Sequence, residues 1–285
     1  MVVSLLIVFS SCNQDDIVIN STSDLVSASS SAKLSTSGNF TVYEVKPEIV
    51  GNFLHFCQTT ATGIDGSKAC GPTSYMMASY CLAKYINNNT LYTCSNTKLN
   101  QIVAVTGVST YLSDLQNYGN NQDNSFIACS SLSSSDRTIV KTNMQNALAT
   151  DKFVIAGVNM FGTSSRVNNS NLYLNSSVNP DLNPTSETTA TYITTNKYGV
   201  YQKTSSCRGI SLGTTTGVYG YIIVIVKITV NNIDGTGIVE YIDPIATSKP
   251  YGVSNRRYMS YTRLLESMKI NGCYDAYDAI SVGLK

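Results

Sequence analysis

Tryptophan is absent from this 285-residue chain, and histidine occurs once, as His55. A single imidazole excludes any mechanism that needs two. Charge is also scarce: Asp, Glu, Lys and Arg make up 13% of the residues and the formal net charge is +1. Nucleic-acid binding proteins neutralise phosphates with clustered Lys and Arg, so no nucleic-acid partner is expected. No apolar run reaches the roughly 18 residues of a membrane-spanning helix. Cys-x-x-Cys pairs are missing and His55 lacks ligand-like spacing, so neither a metal site nor a cofactor is expected. No internal repeat is visible.

Apolar residues reach 42%, too high for a disordered chain, and the length suits one sizeable domain or two small ones. Residues 2–9 form an apolar run of signal-core length, followed by Ser10, Ser11 and Cys12. Phe9-Ser10-Ser11-Cys12 resembles a bacterial lipobox, which implies that residues 1–12 are a lipoprotein signal in which Cys12 is lipidated and becomes the mature N-terminus. A plain secretory signal and a chance cysteine are the alternatives. Asn13-Gln14-Asp15-Asp16 resembles the acidic export signal of Bacteroidetes-type surface lipoproteins. That likeness implies an outer-membrane or cell-surface location in a Gram-negative bacterium, with the membrane reached through the anchor at Cys12. Two or three acyl chains on one cysteine hold a protein stably.

Residues 13–40 are rich in Ser, Thr, Asn and Ala and read as a flexible tether. The folded part is expected from residue 41 to 285, opening with the alternating Thr41-Val42-Tyr43-Glu44-Val45. Between about 162 and 217 a Ser/Thr/Asn-rich stretch separates two apolar strands and reads as an insertion with one or two surface strands.

Eight cysteines are present. Setting aside Cys12 and one free nucleophile, Cys70, leaves Cys57, Cys81, Cys94, Cys129, Cys207 and Cys273. Six cysteines suffice for up to three bridges in an exported protein, with connectivity open. Cys57 is a candidate half-cystine pinning its loop, and Cys70 is alternatively a buried half-cystine.

The most informative segment runs Ala69-Cys70-Gly71-Pro72-Thr73-Ser74-Tyr75-Met76-Met77. Gly71-Pro72 suits a loop entering a helix, because a first turn needs no internal N–H partner. From residue 73 to 86 the chain is almost wholly apolar or small, so the helix must be buried on nearly all sides. Cys70 then sits at its N-terminus, where the helix dipole and free amides are expected to lower the thiol pKa.

This opening resembles the papain-fold cysteine peptidases related to the bacteriocin-processing, double-glycine leader peptidases. The resemblance spans about residues 58–268, interrupted by the insertion. It implies an α+β, papain-like cysteine peptidase fold, with a central N-terminal helix carrying the Cys against an antiparallel sheet. Residues 139–149 match a helix of that layout, and 151–158 a turn and first sheet strand. Residues 221–228 match the long buried strand, 238–244 its hairpin partner, and 258–268 a closing helix. Carried over, Cys70 matches the nucleophile, Gln58 the oxyanion donor and Asp243 the group that orients the imidazole. Gln58 as an ordinary surface amide and Asp243 as a strand-ending turn residue are the plain alternatives.

One assignment fails. Where the family has Gly-His, this chain has Gly220-Tyr221, and no histidine follows Cys70. A phenol, with a pKa of about 10, neither takes a thiol proton nor protonates a leaving amine well near neutral pH. Losing the base typically costs a factor of roughly 10²–10⁴. A degenerate peptidase that binds a peptide or peptidoglycan-like ligand is therefore expected. The alternatives are an active cysteine peptidase or cell-wall amidase using His55 or another base, and a structural or adhesive surface protein. His55 itself reads most simply as part of a partly buried aromatic segment, Phe53-Leu54-His55-Phe56.

Overall fold

The structure, a computed structural model, describes residues 35–37, 39–58, 61–87, 92–161, 182–184, 190–192, 203–205, 218–244, 256–268 and 277–285. The lipobox, Cys12, and most of the expected tether and insertion lie outside them, as do Cys207 and Cys273. The fold is α+β, with antiparallel pairing throughout the described sheets.

In chain order the elements are β1 (Ser35–Ser37), β2 (Phe40–Glu44), α1 (Pro47–Val50), α2 (Cys70–Tyr85), α3 (Asn96–Thr106) and α4 (Leu112–Asn121). Then come β3 (Ile127–Ser131), α5 (Arg137–Ala149), β4 (Phe153–Phe161), β5 (Leu182–Pro184), β6 (Ala190–Tyr192) and β7 (Lys203–Ser205). The chain ends with β8 (Val218–Asn231), β9 (Gly237–Ile242), β10 (Arg256–Ser260), α6 (Tyr261–Met268) and β11 (Ala279–Leu284). The main sheet runs β1-β2-β8-β4-β11-β3, with β9 against β8 and β10 against β9.

Several expectations shift. The sheet already begins at Ser35, inside the expected tether, because β1 pairs with β2. Three earlier strands of the sheet, β1, β2 and β3, precede β4. Residues 258–260 belong to β10 rather than to a helix: Tyr258 pairs with Glu240 and Ser260 with Ile238 before α6 starts. The polar stretch between β4 and β8 holds three short strands, which form their own sheet in the order β5-β6-β7.

Strand β8 organises the fold. Residues 221–226 are all buried, which requires cover on both faces and explains their unbroken apolar run. Helix α2 packs on β8, while α5 and α6 pack against β4 and against each other, Tyr261 donating to the Lys141 carbonyl at 3.4 Å. Along one edge of β8, β4 pairs from Val218 to Ile225 and β2 takes over from Lys227 to Asn231. Lys46, just after β2, forms an ion pair with Asp151, just before β4, at 2.6 Å, and closes the seam between them. The other edge pairs with β9, but only from Val224 onward. Among the described residues no strand covers that edge from Val218 to Ile223.

Helix α2 is anchored on its far side by a small polar cluster. Asp123 accepts from Tyr75 at 2.9 Å and from Lys98 at 3.0 Å. The Lys98 ammonium also lies 4.2 Å from the Tyr92 ring centroid. These contacts join α2, α3 and the end of α4 around one buried carboxylate. Ser95 caps α3 and Asp136 caps α5 through their side-chain oxygens. Among the described residues no helix is long and apolar enough to cross a membrane.

Candidate functional site

The uncovered edge of β8 is where the sequence-identified residues converge. Cys70 is the first residue of α2, and Ser74, one turn on, donates to the Ile222 carbonyl at 3.3 Å. Next to Cys70, Gly71 lies so close to β8 and α4 that an added Cβ would meet Thr110 Cγ2 at 2.7 Å and Ile222 Cδ1 at 2.9 Å. The helix tip is thus seated on the start of β8, within the segment that β9 leaves open.

Strand β9 ends at Ile242, and the next two residues turn away from β8. Asp243, fully buried, accepts a hydrogen bond from the Tyr221 hydroxyl at 2.5 Å on Oδ1. The imidazole of His55 donates from Nε2 to the main-chain carbonyl of the same Asp243 at 2.9 Å. The main-chain N–H of Gln58 donates to the Pro244 carbonyl at 2.8 Å. Three contacts therefore converge on two consecutive residues, and two of them come from one loop, residues 53–58. That loop is also held on α2, where the Phe56 amide reaches Met77 Sδ at 3.1 Å.

All four residues expected from the sequence, Cys70, Gln58, Asp243 and Tyr221, are thus brought to one place. Gln58 is fully buried, which overturns the surface-amide alternative. Asp243 ends its strand and faces the Tyr221 hydroxyl, so its turn role and its place in the site coexist. His55 joins the same corner through the Asp243 carbonyl rather than standing apart from it. Its Nε2 is a donor there, so that nitrogen is not the atom that accepts the Cys70 proton.

The expected activation of Cys70 is reversed. Burial pushes the thiol up to about 11, although the main-chain amides of Ile222, Gly71 and Cys70 itself pull it down, and the nearby Asp243 carboxylate adds to the rise. The helix-end amides act in the expected direction, but desolvation of the thiolate outweighs them. At pH 7 on the order of one Cys70 in 10⁴ is ionised, given a value of about 11.

The expected disulfides do not form among Cys57, Cys70, Cys81, Cys94 and Cys129. Geometry explains this: Cys81 donates to the Ile49 carbonyl at 2.7 Å, and Cys94 lies 3.8 Å from the Leu54 carbonyl, each thiol turned to backbone oxygen. Among the described residues no group of three or more His, Cys, Asp or Glu side chains is placed to hold a metal ion.

Sequence reasoning missed two contacts that hold α2, one at the site and one on its far side. Ser74 was inside the quoted motif, but its bond to Ile222 depends on how α2 lies on β8. The Lys98–Asp123 pair joins residues 25 apart with no local pattern to announce it. No protein-family model matches the chain, and no curated protein matches it.

Proposed function

We propose that this chain is an exported lipoprotein, held at the outer membrane or cell surface through Cys12. Its folded part is a papain-like cysteine peptidase domain that has lost catalysis and binds a peptide or peptidoglycan-like ligand beside Cys70. The observation that carries the reading is the Tyr221–Asp243 hydrogen bond. The carboxylate that would orient an imidazole holds a phenol instead, so no general base stands between Asp243 and the thiol. The raised thiol value and the engagement of His55 Nε2 point the same way.

On this reading a nucleophile helix, an oxyanion-loop glutamine and a strand-end aspartate at one corner would border a cleft for an extended peptide chain. The β8 edge between Val218 and Ile223, which no strand among the described residues covers, adds main-chain groups there. The test is to offer the purified chain unstructured peptides and peptidoglycan digests, measuring binding and turnover together. Saturable binding without hydrolysis is expected. Hydrolysis abolished by Cys70→Ala overturns the inactive reading, and absence of binding to either probe overturns the ligand class.

A further inference from the structure

Asp243 and Pro244 are a two-residue hub. The first receives Tyr221 on its side chain and His55 on its carbonyl, and the second receives the main-chain N–H of Gln58 on its carbonyl. Tyr221 belongs to β8 and the other two donors to the 53–58 loop, so the hub joins that loop to the sheet just past the end of β9. Helix α2 reaches β8 separately, through Ser74 and the packing around Gly71. The loop is tied to α2 at Met77 and to the hub, Asp243 of that hub acts electrostatically on the Cys70 thiol, and the helix tip is held on β8 by different contacts.

We propose that the Tyr221–Asp243 bond is a clasp that governs access to Cys70 by fixing the 53–58 loop. The phenol hydroxyl holds the buried carboxylate in place, the carboxylate fixes the turn, and the turn presents the two carbonyls on which the loop hangs. Opening the clasp lets the Asp243-Pro244 turn shift away from the Cys70 thiol and carries the 53–58 loop with it, while the β4–β8 ladder stays paired. The clasp is independent of which ligand the cleft takes and of whether any turnover occurs.

Tyr221→Phe removes the hydroxyl and leaves the ring. Its expected signature is local: amide exchange of residues 53–58 and iodoacetamide labelling of Cys70 both rise by about tenfold or more, as for a sub-global opening. Amides of the β4–β8 ladder, such as Val154 and Ile225, keep their wild-type exchange. Asp243→Asn keeps an oxygen for the phenol but loses the charge, and is expected to give a smaller rise in the same two signals. If Tyr221→Phe does not fold, Asp243→Asn alone carries the test. Unchanged loop exchange and labelling in the folded variant, or a rise spread evenly over all amides, overturns the clasp.

Discussion

The hydroxyl of Tyr221 and the carboxylate of Asp243, 22 residues apart in sequence, meet at 2.5 Å in the buried corner where α2, β8 and the end of β9 come together. A charge-assisted bond of this kind is among the stronger single contacts in a protein interior. Here it occupies the aspartate with a phenol, a group that exchanges its proton poorly at neutral pH. On the reading proposed above, chemistry and architecture are separable in such a corner: the frame of a hydrolytic site would persist without its base.

Replacing the phenol by imidazole tests that separation directly. Tyr221→His is expected to bring a base within reach of Asp243 and to raise peptide hydrolysis from background by roughly 10²–10⁴, the usual worth of a positioned general base. The check is a fluorogenic peptide assay, with Cys70→Ala in the Tyr221→His background as control. A Tyr221→His protein that binds peptides yet never turns them over shows that more than the base has been lost.

Alkylation of Cys70 should follow pH in an unusual window. Its thiol sits at about 11, raised mainly by burial, so labelling is expected to climb through about pH 11 rather than near the ordinary cysteine value of about 8.5. Rates measured by mass spectrometry at stepped pH read the midpoint. A midpoint near 8.5 contradicts the desolvated, unactivated state of the thiol.

The same burial makes stability fall in alkali. Cys129 and Cys94 are each pushed up to about 12 by burial, above their values in an unfolded chain. The folded state holds these protons where the unfolded state has released them. Their contribution is therefore complete below about pH 8.5 and is lost as pH rises toward the folded values. Urea midpoints are expected to drop between about pH 8 and about pH 11, and Cys129→Ala to flatten that drop. The buried phenols of Tyr75 and Tyr261, also raised by desolvation, add to the fall with the same sign.

Gly71→Ala pits two effects against each other. Alanine gains about 1 kcal/mol over glycine in helix propensity, but the added methyl lies 2.7 Å from Thr110 Cγ2 and 2.9 Å from Ile222 Cδ1. Overpacking of this kind costs about 1–3 kcal/mol, and Thr110 is too short to swing away. Net destabilisation is expected by urea denaturation, together with faster Cys70 labelling as the helix tip lifts from β8.

Lys98→Met leaves the Asp123 carboxylate buried with the Tyr75 hydroxyl as its remaining side-chain donor. A loss of about 3 kcal/mol is expected, near the lower end for a broken buried pair because Lys98 keeps some solvent contact. Adding Asp123→Asn should recover part of it, since the amide is neutral. Equal losses in the single and double variants would show that the charge itself is not what costs.

How much of this was legible beforehand follows from what is local. The run of small and apolar residues after Pro72 declares a buried helix, and the alternating and continuous apolar runs declare β2, β4, β8 and β9, because periodicity is a property of neighbouring residues. The absence of any histidine after Cys70 needs only counting, and it removes the ordinary base whatever the fold. Position within the candidate site was legible too, since motif order brought Gln58, Cys70, Tyr221 and Asp243 into one expectation.

What the chain order does not contain is how strongly each group is desolvated and which main-chain atoms face it. The helix-end amides of Cys70 are a local feature and predict an activated thiol. The packing of β8 and α4 against Gly71 is not local, and the burial it creates reverses the sign. His55 likewise reads as an isolated aromatic-segment residue until the turn after β9 presents the Asp243 carbonyl to it. Composition and pattern decide which groups exist and which elements carry them. Tertiary packing decides how much water each group keeps, and electrostatics in a protein depends on that water more than on sequence neighbours.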